Sequence, residues 1–163
     1  LIQRGSGDTM PSSIVDTDDF NYYLGHTQGP TSSEREFRSE TSHPFTASRW
    51  YVAHNGVLSN YKDLYPDNPC VVDKSDESHP VAAISAVCSS LQGTFACWIY
   101  DEMENDIYLV RCGSTLFYKE GCFSSKQPDN TWCTMSEGVV YKLVDNDFVS
   151  QDKFKSNSPY FIL

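Results

Sequence analysis

Alternating apolar and polar positions predict short strands along most of the chain. An aromatic-rich stretch, Phe20–Leu24, is strand-like and breaks at Gly25, and Trp50–Leu58 is a stronger strand that ends on Asn55-Gly56. Further strands are predicted at Ile14-Val15, Thr94–Tyr100, Ile107–Cys112, Thr115–Tyr118, Cys122–Ser124 and Gly138–Val144.

A single clear helical pattern interrupts these strands. Pro80 opens it, and Val81, Ile84, Cys88 and Leu91 recur at helical spacing, which gives the helix one buried face. Strands, one or more helices and then a run of antiparallel strands predict an α+β sandwich.

Composition narrows the class of protein. The length of 163 residues suits one domain over 1–163, and 39% hydrophobic with 13% aromatic residues can fill a core. The 12 basic and 22 acidic residues give a net charge of −10, which argues against nucleic acid or an anionic membrane as a partner. The apolar runs are too short for a membrane-spanning helix.

Cysteine and histidine spacing gives no support to a metal site. The six cysteines form no Cys-x-x-Cys pair; three disulfides are possible, but buried free thiols are the favoured interpretation. The four histidines show no metal-ligand spacing, so structural roles are favoured. Neither a metal nor a cofactor is expected. The residues concerned are Cys70, Cys88, Cys97, Cys112, Cys122, Cys133, His26, His43, His54 and His79.

Three segments could carry chemistry. The loop from Leu24 to Ser33 is dense in hydroxyls that could bind a small polar ligand, although an ordinary Ser/Thr turn has the same composition. Asn55-Gly56 is typical of a tight hairpin, yet a side-chain amide beside a glycine N–H can also aim two donors at one oxyanion. Carboxylates before Pro80, among them Asp76, could hold an ammonium group or merely favour the helix dipole.

The order of several short motifs is more specific than any one of them. They are Arg4-Gly5, Gly25-His26-Thr27 with Thr31, Ser42-His43-Pro44-Phe45, Val52–Leu58 with Asn60-Tyr61, Ser75-Asp76 and Gly93–Ala96. This series resembles the class II glutamine amidotransferase domain of the N-terminal-nucleophile (Ntn) hydrolase superfamily, from Leu1 to about Val144. The stretches Thr41–Phe45 and Arg111–Phe117 look most like the stand-alone versions of tailed bacteriophages.

The resemblance implies a fold and a set of roles. The fold would be an αββα sandwich with antiparallel sheets, and no cofactor is needed. By the family pattern Asn55 and Gly56 form the oxyanion hole, and Thr31 helps seat the substrate. Asp76 holds the substrate's α-ammonium group, and His26 belongs to the Gly-His-Thr part of the substrate-binding loop.

Two departures from the family pattern affect function. The family's nucleophile is an amino-terminal cysteine whose own α-amine is the base, but this chain starts with Leu1 and its first cysteine is Cys70. We therefore expect no hydrolysis from the polypeptide as given. Either its first elements are missing here, or the protein is a catalytically dead Ntn-fold module for binding or assembly, such as a bacteriophage particle component.

The second departure concerns the substrate carboxylate. Gln28 stands where the family usually has an arginine, which makes glutamine a doubtful ligand. Arg35 and Arg38 on the same loop could substitute, whereas Arg49 is expected to face solvent. The expected partners are a small-molecule amide such as glutamine, or a protein assembly, and the expected location is the cytoplasm, or a host cytoplasm or virion for a phage protein.

Overall fold

The structure, a computed structural model, describes residues 21–27, 43–60 and 79–156. Within these ranges lie one helix and nine strands. In chain order they are β1 (Phe45–Ala47), β2 (Trp50–Leu58), α1 (Pro80–Ser90), β3 (Gly93–Asp101), β4 (Asp106–Cys112), β5 (Phe117–Lys119), β6 (Cys122–Ser124), β7 (Cys133–Thr134), β8 (Val139–Val144) and β9 (Asp147–Lys153).

The strands form two antiparallel sheets. The larger has the order β1-β2-β3-β4-β8-β9, and the smaller has the order β6-β5-β7. Short turns join neighbours: Asp145 and Asn146, both at positive φ, connect β8 to β9 as the two central residues of a primed hairpin turn. The predicted α+β class is confirmed.

Each face of the larger sheet has its own apolar cluster. Helix α1 covers one face, where Ile84 and Cys88 pack with residues of β3 and β4 such as Phe95 and Val110. The second cluster joins the opposite face to the smaller sheet, since Phe148 of β9 meets the rings of Tyr118 and Phe123 edge-on. The larger sheet is therefore a central layer, and its strand β2 carries the candidate site.

Sequence periodicity predicted most of these elements. The bounds of β2 and β6 are confirmed, and α1, β3, β4 and β8 lie within a residue of their predicted starts. The predicted strand over Phe20–Leu24 is wrong for residues 21–24, which have no regular structure. Strands β1, β7 and β9 were not predicted, and Ile14-Val15 lies outside the described residues.

Arg49 does not face solvent as predicted. It is buried at the start of β2, where its Nη2 lies 2.9 Å from Oδ2 of the fully buried Asp101, and its guanidinium lies over the Trp50 ring. The carboxylate that draws it inward comes from β3, 52 positions later in the chain, so local sequence could not indicate it.

The burial of the cysteine thiols agrees only partly with the prediction. Cys88 and Cys97 are buried, but Cys122 and Cys133 are exposed, which corrects the expectation of buried thiols throughout. Cys88, Cys112, Cys122 and Cys133 are free thiols, and Cys70 lies outside the described ranges. In the described part of the chain no helix is long and apolar enough to cross a membrane.

Candidate functional site

Asn55 and Gly56 lie inside β2 and not in a turn. Asn55 pairs with Ala96 and Gly56 with Phe95 of β3, and the pairing continues to Leu58. Both the hairpin interpretation and the expectation that the strand ends at this dipeptide are therefore wrong. Because side chains alternate along a strand, Asn55 faces away from α1, and its side chain is exposed.

Gly56 is required by the close approach of β2 and β3. Its φ is +135°, and a Cβ placed there would lie 2.0 Å from the Thr94 carbonyl oxygen and 2.9 Å from the Phe95 Cα. Any side chain would clash with backbone that cannot move away without breaking the sheet. Because Gly56 has no side chain, the backbone of β2 can approach the backbone of β3 this closely.

Three histidines from three separate motifs meet beside His54, in the middle of β2. His43 Nε2 lies 2.9 Å from His54 Nδ1, within hydrogen-bond distance. The ring centroid of His26 lies 4.2 Å from that of His43, which also packs edge-on against Phe45 at 4.6 Å. We call His26, His43 and His54 the histidine trio.

Strand register explains this meeting. Phe45 of β1 is opposite Val52 of β2, so continuing that register by two residues places His43 opposite His54. Sequence spacing suggested no pairing among the histidines, because 11 positions separate these two and β1 was not predicted. The pattern His-x-Phe before a strand that contains His-Asn-Gly was the available signal.

The segment 21–27 is anchored to the sheet by Trp98. The indole Nε1 donates a hydrogen bond of 3.1 Å to the Gly25 carbonyl oxygen, and Leu24 packs on the second apolar cluster. This contact holds the next residue, His26, against His43. Burial of the His26 ring lowers its pKa below the ordinary value of 6.5, so its neutral form is favoured.

The C-terminal end of β2 is held by the buried Asn60, a role that the sequence did not indicate. Asn60 Nδ2 donates to the Ser90 carbonyl oxygen at 2.8 Å, and Asn60 Oδ1 accepts from the Gln92 amide at 2.9 Å. Asn60 therefore ties the end of β2 to the end of α1, and β2 is held on both sides of Asn55-Gly56.

Several predicted site residues lie outside the described ranges. They are Gln28, Thr31, Arg35, Arg38 and Asp76. Of the site residues predicted from sequence, the described chain brings His26 close to the strand that carries Asn55 and Gly56. Across residues 21–27, 43–60 and 79–156, no group of three or more His, Cys, Asp or Glu side chains could hold a metal ion.

The chain is distantly similar to a known aminotransferase. In an alignment 165 positions long, the chain is 22% identical to glutamine–fructose-6-phosphate aminotransferase [isomerizing] of Oceanobacillus iheyensis. The alignment covers 90% of this chain but only 28% of that relative's length. No family model matches the chain. This distant similarity hints at a glutamine amidotransferase domain.

Proposed function

We propose that the chain is a glutamine amidotransferase-like domain that binds the side-chain amide of glutamine or of a related compound. The observation that carries this proposal is the meeting of the Gly-His, His-Pro-Phe and His-Asn-Gly segments through the histidine trio. These segments are 11 or more positions apart in sequence, yet they converge on His54, the residue directly before Asn55-Gly56. The similarity to an enzyme whose name includes glutamine supports the same class of ligand.

The chemistry of Asn55 and Gly56 suits an amide ligand. An asparagine Nδ2 and a backbone N–H are both neutral donors, and a carbonyl oxygen that gains negative charge during attack is stabilised by two such donors. Asn55 is exposed and so is accessible to a ligand. The rigid pairing of β2 with β3 keeps these donors in place before a ligand arrives.

The 163-residue polypeptide is proposed to bind without hydrolysis. Amide hydrolysis in this class needs a nucleophile and a base, which in the resembling family are a cysteine thiol and its own α-amine. Every cysteine from Cys70 to Cys133 is preceded by a peptide bond, so none of them has a free α-amine to act as the base. We therefore expect the 163-residue polypeptide to release no ammonia from glutamine. A thiol-independent turnover at seconds-scale rates would overturn this expectation.

The remaining substrate contacts are proposed from sequence. Thr31 would help to seat the substrate and Asp76 would bind its α-ammonium group, within an αββα sandwich of the Ntn-hydrolase type. A neutral Gln28 cannot form a charge-assisted pair with an α-carboxylate, so the preferred ligand lacks a free carboxylate unless Arg35 or Arg38 replaces that cation. An α-amidated glutamine is then the better probe.

Nuclear magnetic resonance tests this proposal. L-glutaminamide and L-glutamine are titrated separately into isotope-labelled polypeptide, and amide shifts are followed. Saturable shifts that are largest at Asn55, Gly56 and His26 are expected, with tighter binding of glutaminamide. Tighter binding of glutamine that persists when Arg35 and Arg38 are both changed to alanine would contradict the ligand preference. Absence of any saturable shift with either probe would favour a structural module.

A further inference from the structure

The hydrogen bond between His43 and His54 depends on protonation in a way that ordinary hydrogen bonds do not. One ring nitrogen must carry a hydrogen and the other must present a lone pair. A neutral pair satisfies this condition, and so does a pair with one added proton. Two imidazolium rings would place an N–H against an N–H at 2.9 Å, and the bond would be lost.

This bond supports the part of β2 that carries the candidate donors. Within the described residues, β1 pairs with β2 only from Trp50 to Val52, whereas β3 pairs along the whole of β2. The His43–His54 contact extends the link on the β1 side by two residues. It therefore reaches the residue directly before Asn55.

We propose that His43 is a positioning residue, which holds His54 and thereby sets the position of the Asn55 and Gly56 donors. The contact does so only while the pair carries no more than one added proton. The importance of this position for ligand binding rests on the proposed function, but the coupling from His43 to Asn55-Gly56 does not.

Two neighbouring groups bear on the charge of the pair. In the described chain, the titratable groups placed against it include His26 from segment 21–27 and Cys97, which is opposite His54 on β3. Cys88 of α1 belongs to the same apolar cluster as Cys97, and burial raises the pKa of the Cys88 thiol to about 12, so it stays neutral. Burial already favours neutral His26, and a charged His43 at its face adds repulsion.

Two substitutions of His43 distinguish the effect of its hydrogen bond from the effect of its ring packing. His43→Gln keeps a donor near the position of Nε2 but cannot be protonated, whereas His43→Phe keeps the ring contacts with His26 and Phe45 and removes the polar atom. His79→Gln, at an exposed position before α1, is the matched control.

Resonances of the Gly56 amide and the Asn55 side-chain amide are followed from pH 7.5 to pH 4.5 without ligand. In the wild type and in His79→Gln we expect both to shift together with the His43 and His54 ring signals. His43→Gln should reduce this shift to the part that the charge of His54 itself causes, because the contact with His54 no longer breaks at low pH. His43→Phe should displace them at every pH and weaken glutaminamide binding about fivefold to tenfold, as for one misaligned hydrogen bond.

The proposal is overturned if Asn55 and Gly56 do not titrate with the rings in the wild type, or if His43→Gln retains the full shift. The wild-type and His43→Gln measurements decide the matter even if His43→Phe does not fold. Failure of glutaminamide to bind with the shift intact would instead contradict the proposed function alone.

Discussion

The Arg49 guanidinium forms an ion pair of 2.9 Å with the Asp101 carboxylate, and both side chains are buried where β2 begins and β3 ends. Asp101 Oδ1 also accepts the Met103 amide at 3.1 Å. Asp101→Asn keeps the shape and this turn contact but leaves Arg49 charged and uncompensated. We expect the free energy of unfolding to fall by about 3–5 kcal/mol.

Urea denaturation measures this loss, and Asp106→Asn is the control. Asp106 pairs with Lys142 at 2.6 Å, but both side chains are partly exposed. Removing that pair should cost no more than about 1 kcal/mol because solvent screens it. Equal losses in the two variants would show that burial of the Arg49–Asp101 pair does not matter for stability.

Gly56→Ala should destabilise the protein severely. The added Cβ would meet Thr94 and Phe95 backbone atoms at a φ that side chains rarely adopt, so we expect a loss of at least about 3 kcal/mol or failure to fold. Gly25→Ala is the matched control, since a Cβ there has nothing within 4 Å. Thermal or urea unfolding of both variants gives the comparison. A Gly56→Ala variant as stable as Gly25→Ala would disprove the close backbone approach.

His26 makes stability depend on pH. Its pKa is lowered by burial, so below about pH 6.5 the unfolded chain binds a proton that the folded chain resists. The free energy of unfolding should therefore rise with pH from the lowered folded-state pKa up to about 6.5 and then level off. His26→Gln should reduce this rise, whereas the same change at exposed His79 should not. Unfolding curves between pH 5 and pH 8 provide the test, and an unchanged slope in His26→Gln would contradict it.

Thiol reactivity should divide the cysteines by burial. Cys122 and Cys133 are exposed, whereas Cys88 is buried and its thiol pKa is raised to about 12. Iodoacetamide at pH 8 should alkylate the first two rapidly and Cys88 only after unfolding, because the thiolate is the reactive form. Mass spectrometry of peptides from native and urea-treated protein checks this. Modification of native Cys88 as fast as Cys122 would be incompatible with this structure.

The sequence predicted the elements that carry a strong local pattern. Strand β2 and helix α1 have long, regular apolar periodicity, and both are confirmed. Strands β1 and β7 have only three and two residues, so no period shows in them, although the equally short β6 was predicted. Strand β9 has a polar, largely exposed sequence. These elements exist because a neighbouring strand pairs with them.

The candidate site shows the same division. Asn55, Gly56 and His26 could be proposed from short motifs, although the hairpin that Asn-Gly favours in isolation is wrong. The contact of His43 with His54 depends on the register of β1, and the burial of Arg49 depends on Asp101, so neither follows from residues nearby in sequence. Both the His43–His54 contact and the burial of Arg49 depend on contacts between segments that are distant in sequence.

The most direct test of the proposed amide site is calorimetry of L-glutaminamide binding to the wild-type polypeptide and to Asn55→Ala. Asn130→Ala, the same change in the exposed turn before β7, is the control. We predict that the wild type and Asn130→Ala bind equally and that Asn55→Ala loses about tenfold in affinity, as expected for one neutral hydrogen bond. Equal affinity of all three proteins, or no binding by the folded wild type, would contradict the proposal that Asn55 and Gly56 bind an amide.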